Sequence, residues 1–195
     1  MASKVCSLFV KHDIIPTGKK AAYTYGLELL ISDVVGISCI ILISILYGQA
    51  YMWIPYLIGF VPMRILGGGY HAKTHFSCIL FFSSFYLLFI SIKDIFQSVS
   101  HIEIFLCLFV LFLALLFSPV EAENKPLSGE SRKRNRRRSI GIAVFNLLLA
   151  FLSCLAFKHT STHLLMYFVG TFSAGISIIF ALLTQKNQNY TEEKL

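Results

Sequence analysis

Six apolar runs of helical length, each bounded by charged or turn residues, take up most of this 195-residue chain. They fall at about 27–47, 50–66, 77–92, 102–119, 139–157 and 162–184. About 20 apolar residues in a helix cross a hydrocarbon core about 30 Å thick. The pattern therefore predicts an all-α membrane protein, a polytopic bundle of about six transmembrane helices forming one domain over residues 1–195. Barrel strands would instead show segments of about ten residues with alternating polarity. Charged residues make up 14% of the chain, against about a quarter in an average soluble domain, and no room is left for a separate soluble catalytic unit. Any chemistry falls to residues on the helices or their short connections. The second and third runs are short and flank Gly67, Gly68 and Gly69, which leaves a re-entrant or broken arrangement open at that point.

Basic residues set the orientation. With both termini cytoplasmic, Lys4, Lys11, Lys19, Lys20, Arg64, Lys73, Lys125, the six cations of 132–138, Lys186 and Lys194 lie inside, and only Lys93 and Lys158 lie outside. That asymmetry obeys the positive-inside rule and requires an even number of spans. Residues 1–25 lack the apolar core and cleavage site of a secretory signal. Val5, Leu8 and Phe9 instead suit one side of a short amphipathic helix on the inner surface, with Pro16, Thr17 and Gly18 as the turn into the first span. The run Ser131–Arg138, in an expected cytoplasmic basic loop over 120–138, reads as a topology anchor that binds lipid headgroups. A sharper reading makes Arg132, Lys133, Arg134 and Arg136 a landing site for an acidic peptide substrate. Nucleic acid is set aside, because the cluster abuts a span and has no interleaved aromatics for stacking.

The five cysteines, at 6, 39, 78, 107 and 154, show no CxxC spacing and no close pair, so neither a disulfide framework nor a zinc knuckle is indicated. Cys39, Cys107 and Cys154 lie within apolar runs, where cysteine packs as a small hydrophobe, and Cys6 reads as a surface-helix residue. Cys78 differs: it follows the one dense polar, glycine-rich stretch between spans, Arg64 to Cys78. Three readings of that stretch compete. It is a loop whose histidines sit at headgroup level; or His71, His75 and Cys78 ligate a metal, although HAKTH lacks the glutamate of a metalloprotease helix; or Cys78 is a nucleophile with His71 as its base. On one straight helix His71 and Cys78 would lie about 10.5 Å apart along the axis. Direct proton transfer needs about 3 Å, so the third reading requires the chain to bend, which the glycines permit.

Arg64, the glycines ending in Gly69, His71, Ala72 and Cys78 together resemble the signature of the accessory gene regulator protein B family, membrane peptidases of Gram-positive quorum sensing. The likeness extends to Tyr25–Glu28, to Ser118 and Pro119, and to Asn124–Leu127, and so covers nearly the whole chain. The resemblance implies a cysteine endopeptidase of the cell membrane with its catalytic motif on the cytoplasmic side. Such an enzyme cuts an AgrD-like precursor peptide on its C-terminal side, holds the remainder as a thioester and promotes its cyclisation to a thiolactone or lactone. By the same resemblance Cys78 is the nucleophile, His71 the base, Arg64 a supporting residue or a contact to a substrate carboxylate, Gly69 a supporting residue, and the protein a homodimer that needs no cofactor or metal.

Two acids stand in or near the first span, where ionisable residues are functional suspects. Glu28, at the expected depth of the catalytic loop, either orients His71 or is an interfacial residue. Asp33 lies about 140° further around the helix and suits a pairing inside the bundle or at a subunit contact. The competing function is a membrane exporter of a small peptide that does no proteolysis. Against it, the sequence shows no repeat of interrupted helices in its two halves.

Overall fold

In lipid every backbone polar group must find its partner within the protein, and a continuous helix achieves this span by span. A computed structural model describes residues 2–12, 14–69, 75–99, 101–120, 128–157 and 160–192; the side chains of 17, 25, 29, 75, 78 and 185–192 fall outside that description. Among the described residues seven α-helices occur: α1 (Ala2–Lys11), α2 (Lys20–Leu46), α3 (Trp53–Gly67), α4 (His75–Ser98), α5 (Ile102–Phe117), α6 (Gly129–Ala156) and α7 (Thr162–Glu192). A single isolated bridge between Gly68 and Val120 is the one β-type pairing among them. The protein is a helical membrane protein. The helices α2, α4, α6 and α7 are long and apolar enough to cross a bilayer, whereas α3 and α5 are shorter apolar helices of 15 and 16 residues.

Each apolar run expected from the sequence lies on one of α2 to α7, but α2, α4, α6 and α7 outrun the apolar stretch they contain. α2 begins at Lys20 rather than near 27, so the amphipathic N-terminal segment over 1–25 divides. Its first part is α1, a turn at Thr17–Lys19 follows, and its last residues already belong to α2. The basic segment expected as a loop over 120–138 is helical from Gly129 onward. Ser128 explains that start, since its hydroxyl accepts from the Ser131 N–H at 3.3 Å as an N-cap, and the arginines that follow are good helix formers. α1 packs on α2 with Ala2 and Cys6 buried, which leaves Leu8 and Phe9 exposed on its other side.

α7 is the axis of the bundle. α3, α4 and α5 pack on it, and α6 closes against α3 and α5. Contact with α3 is at backbone distance: a Cβ on Gly59 would fall on the Tyr167 carbonyl oxygen, and one on Gly170 would fall on that of Tyr56. Small residues allow this approach, which is how helices gain packing energy where lipid offers no hydrophobic drive. The inward stripe of α6, Ser139, Ala143, Asn146, Ala150 and Ser153, is likewise small or polar and buried. Asn146 is its hub. Its Oδ1 accepts from the Tyr167 hydroxyl at 2.5 Å, its Nδ2 donates to Thr171 Oγ1 at 3.3 Å, and Thr171 donates onward to the Gly59 carbonyl of α3 at 3.3 Å. The Cys107 thiol of α5 donates to the Asn146 carbonyl at 3.6 Å, so Cys107 is built into the packing as expected. Asn146→Leu should lower stability by about 1–2 kcal/mol, the range for interhelical hydrogen bonds in lipid. Unfolding by a denaturing detergent measures this.

At the end of the bundle where α4 and α6 finish and α5 and α7 start, Glu103 is buried and accepts from Cys154 Sγ at 3.1 Å and from the Thr160 hydroxyl. Gln97 of α4 donates to Thr162 Oγ1 at 2.8 Å. These contacts tie α4, α5, α6 and α7 together away from the glycine-rich stretch, and they give Cys154 a polar neighbour beyond its role as filler.

Candidate active site

The glycine triplet ends α3 at a point where three other parts of the chain converge. Gly67 lies against Met63, Ile178 and the Ser118 hydroxyl, with a Cβ there 3.3, 3.4 and 3.7 Å from them. Gly68 takes φ +75°, and a side chain on it would strike the Val120 carbonyl oxygen. Both conditions exclude other residues, one by backbone conformation and one by space. The Val120 N–H donates to the Gly67 carbonyl at 3.0 Å, so the segment after α5 runs beside the segment after α3. Gly69, at φ +142°, is in turn covered by the Arg64 guanidinium and the Ser177 hydroxyl, which a Cβ would hit.

Arg64 sits in the last turn of α3, where a cation complements the helix dipole. Its Nη1 donates to Ser177 Oγ of α7 at 3.3 Å, and Ser177 is 1% exposed. The arginine is therefore held between α7 and the glycine turn. Beyond Gly69 the chain leads to His71, which lies outside the described residues, and then to α4, whose first turn contains Cys78. The metal alternative falls on His71 and on the side chains of His75 and Cys78, all outside the described residues.

The basic helix end stands beside this turn. Arg136 Nη2 donates to the Leu115 carbonyl at 2.8 Å and Nη1 to that of Ser118 at 3.4 Å, satisfying carbonyls that the end of α5 leaves without helical partners. Ser118 and Ser139 share a buried hydrogen bond of 2.6 Å. Arg136 thus has a structural task, while Arg132, Lys133 and Arg134 are exposed on the preceding turn of α6. Glu28 lies half-buried on α2, one turn before Ser32, whose hydroxyl donates to the Glu28 carbonyl at 3.0 Å. Asp33 is on the exposed side of the same helix. The structure therefore brings Arg64, Gly69, Ser118, Ser177 and the basic end of α6 to one end of the bundle. Ser118 entered the sequence reading only through the family likeness and Ser177 not at all; the signal for Ser177 was the small-residue spacing Gly170, Ser173, Ala174, Ser177 within an apolar run.

The sequence model described as accessory gene regulator B matches residues 2–190. A protein of Listeria innocua named as AgrB-like is 24% identical over 169 residues, covering 85% of this chain and 81% of its own length. One from Clostridium perfringens is 25% identical over 152 residues, covering 71% and 69% respectively. Another, from Listeria monocytogenes, is 24% identical over 172 residues, covering 85% and 81%. No solved structure matches the chain.

Proposed function

The chain belongs to the accessory gene regulator B family, and from that premise we propose that it is a membrane cysteine endopeptidase of the Agr quorum-sensing system, acting on an AgrD-like precursor peptide. The observation that carries the reading is the position of Cys78 in the first turn of α4, entered from a glycine turn that Arg64, Ser177 and Val120 hold in place. Cys78 Sγ attacks the scissile carbonyl, His71 accepts the thiol proton, and the same proton goes to the leaving amine as the C–N bond breaks. The N-terminal part of the precursor stays on Cys78 as a thioester. An internal Cys or Ser of the precursor then attacks the thioester carbonyl as His71 takes its proton, a thiolactone or lactone forms, and Cys78 departs as thiolate beside the protonated His71. Exclusion of water near the membrane protects the thioester until that second attack. Backbone N–H groups of the glycine turn suit the developing oxyanion.

In this reading the enzyme is a homodimer of the cell membrane, with six spans per chain and with its termini and motif on the cytoplasmic side. The short helices α3 and α5 complete their crossing through the extended segments 68–69 and 118–120, which bond to each other inside the protein as buried non-helical backbone must. Arg132, Lys133 and Arg134 receive acidic residues of the precursor near the turn, and Glu28 is a supporting residue that orients His71. Mass spectrometry of the chain incubated with precursor in lipid vesicles should find an acyl group on Cys78 that hydroxylamine removes. An adduct elsewhere, or cleavage without one, would refute the mechanism.

A thioester is less stabilised by resonance than an amide, so the acyl-enzyme step runs uphill, and a catalyst cannot move an equilibrium. Conversion in vesicles should therefore stop short of completion, fall further when the C-terminal fragment is added, and rise when a protease destroys that fragment. Full conversion indifferent to added fragment would make water the acceptor.

A further inference from the structure

α1, the turn after it and the start of α2 enclose a cleft of about 350 Å³, lined by Cys6, Phe9, Ile15, Tyr23, Gly26 and Leu30 among others. That volume lies within the range of small-ligand pockets, about 300–1,000 Å³. Gly26 helps to keep the cleft open, since a Cβ on it would meet nothing within 4 Å. The depth of the cleft follows from the length of α2. Its 27 residues, at about 1.5 Å each, make a rod of about 40 Å, which is about 10 Å more than the hydrocarbon core it crosses. The surplus falls at the end that carries Lys20, Thr24 and Glu28. The cleft therefore straddles the boundary between headgroups and acyl chains. Leu30 stands at its deep end, and Tyr23, with an apolar ring and a polar tip, stands at its mouth, as such a side chain does at a membrane interface.

We infer that this cleft seats one acyl chain of an anionic phospholipid, whose phosphate lies at Lys19 and Lys20. Apolar side chains on the outside of a membrane bundle meet lipid everywhere, but a concavity between two helices holds one chain in place. Charge selects the headgroup. Lys19 and Lys20 precede Tyr23 by four and three residues, so both stand about one turn above it on the same side. Residues 1–20 carry Lys4, Lys11, Lys19 and Lys20 against the single acid Asp13, a balance that attracts negative headgroups. Glu28 lies about 140–160° round α2 from Tyr23 and Leu30 and so does not face the cleft. Asp33, one turn past Leu30, marks where the seat ends. The lining selects a lipid chain over a peptide. Of the six side chains named, only the Tyr23 hydroxyl and the Cys6 thiol are polar, and an extended peptide lying there would leave backbone groups without partners. An acyl chain has none to satisfy. The inference stands apart from the peptidase reading, since no residue of the glycine turn or of α4 takes part in it.

The full chain in phosphatidylcholine nanodiscs, doped with phosphatidylglycerol that carries a diazirine on one acyl chain, tests this. Illumination should label the segment 6–30. Unlabelled phosphatidylglycerol should compete until the label is lost, and further phosphatidylcholine should not. Lys19→Gln and Lys20→Gln should each weaken binding of the probe, read from labelling against its mole fraction, by about fivefold. Gly26→Phe places a ring in the open space and should bring labelling of the segment down to the level at Phe112, on the exposed face of α5. Labelling at Phe112 itself should stay the same in every variant, which reports that the bundle is folded. Labelling of 6–30 that never saturates, or that Gly26→Phe and the lysine variants leave unchanged, overturns the inference and makes the cleft ordinary lipid-facing surface. So does a segment that escapes the lipid probe and instead takes a diazirine placed on the precursor or on a second copy of the chain, which would make the cleft a protein contact.

Discussion

Cys78→Ala and Cys78→Ser should abolish precursor cleavage, with a fall on the order of 10⁴-fold or more in rate, because losing the nucleophile removes the covalent route altogether. Cys39→Ala should process precursor at close to the wild-type rate per folded molecule. Cys107→Ala and Cys154→Ala remove hydrogen bonds to the Asn146 carbonyl and to Glu103, so they should cost some folded protein while leaving the rate per molecule intact. Release of the C-terminal fragment, normalised to folded protein in the same vesicles, separates the two effects. Processing that survives in Cys78→Ala would remove the nucleophile assignment.

The second large effect concerns the fold. Gly59→Leu should destabilise the bundle by about 3 kcal/mol, at the upper end of overpacking costs. Its first new carbon meets the Tyr167 backbone rather than a side chain that can swing aside, and the same substitution separates Thr171 from the Gly59 carbonyl. Gly170→Leu should behave alike from the α7 side. Gly141→Ala is the informative contrast. It lies in α6 with open space around it, so it should be neutral or slightly stabilising through helix propensity. Equilibrium unfolding in detergent ranks the three, and a Gly59→Leu variant as stable as Gly141→Ala would show that the α3–α7 approach is not a backbone contact.

The apolar runs were readable because hydropathy marks which residues face lipid, and each of the six lies on a helix. It does not mark where a helix stops. α2 and α6 begin earlier than their apolar runs and α7 continues past its own, since lysine, arginine and glutamine are good helix formers in water as well. Ser118 and Pro119, counted within the fourth run, instead leave the helix to lie beside the glycine turn. That pairing links positions some fifty residues apart and leaves no local trace. In the candidate site, the tri-glycine and Cys78 stood out by composition, and Arg64 by the family signature. The clamp of Ser177 on Arg64 and the use of Arg136 as a cap for α5 depend on tertiary contacts, and a serine or one arginine among six carries no mark of them. The spacing of Cys78 from His71 lies outside the described residues.

The helix on which α3, α4 and α5 all lean is synthesised after every one of them. As the chain leaves the ribosome and enters the membrane, Gly59 and the Tyr56 carbonyl have no α7 backbone to meet, Asn146 has neither Tyr167 nor Thr171, and Arg64 has no Ser177. The earlier helices already pack on one another where α2 meets α4 and α6 meets α3 and α5, but their small and polar seams toward α7 stay open until it is made. Biogenesis then has a built-in order: the turn that leads to Cys78 is braced first by Val120 and gains the Ser177 part of its support only once translation has passed α7.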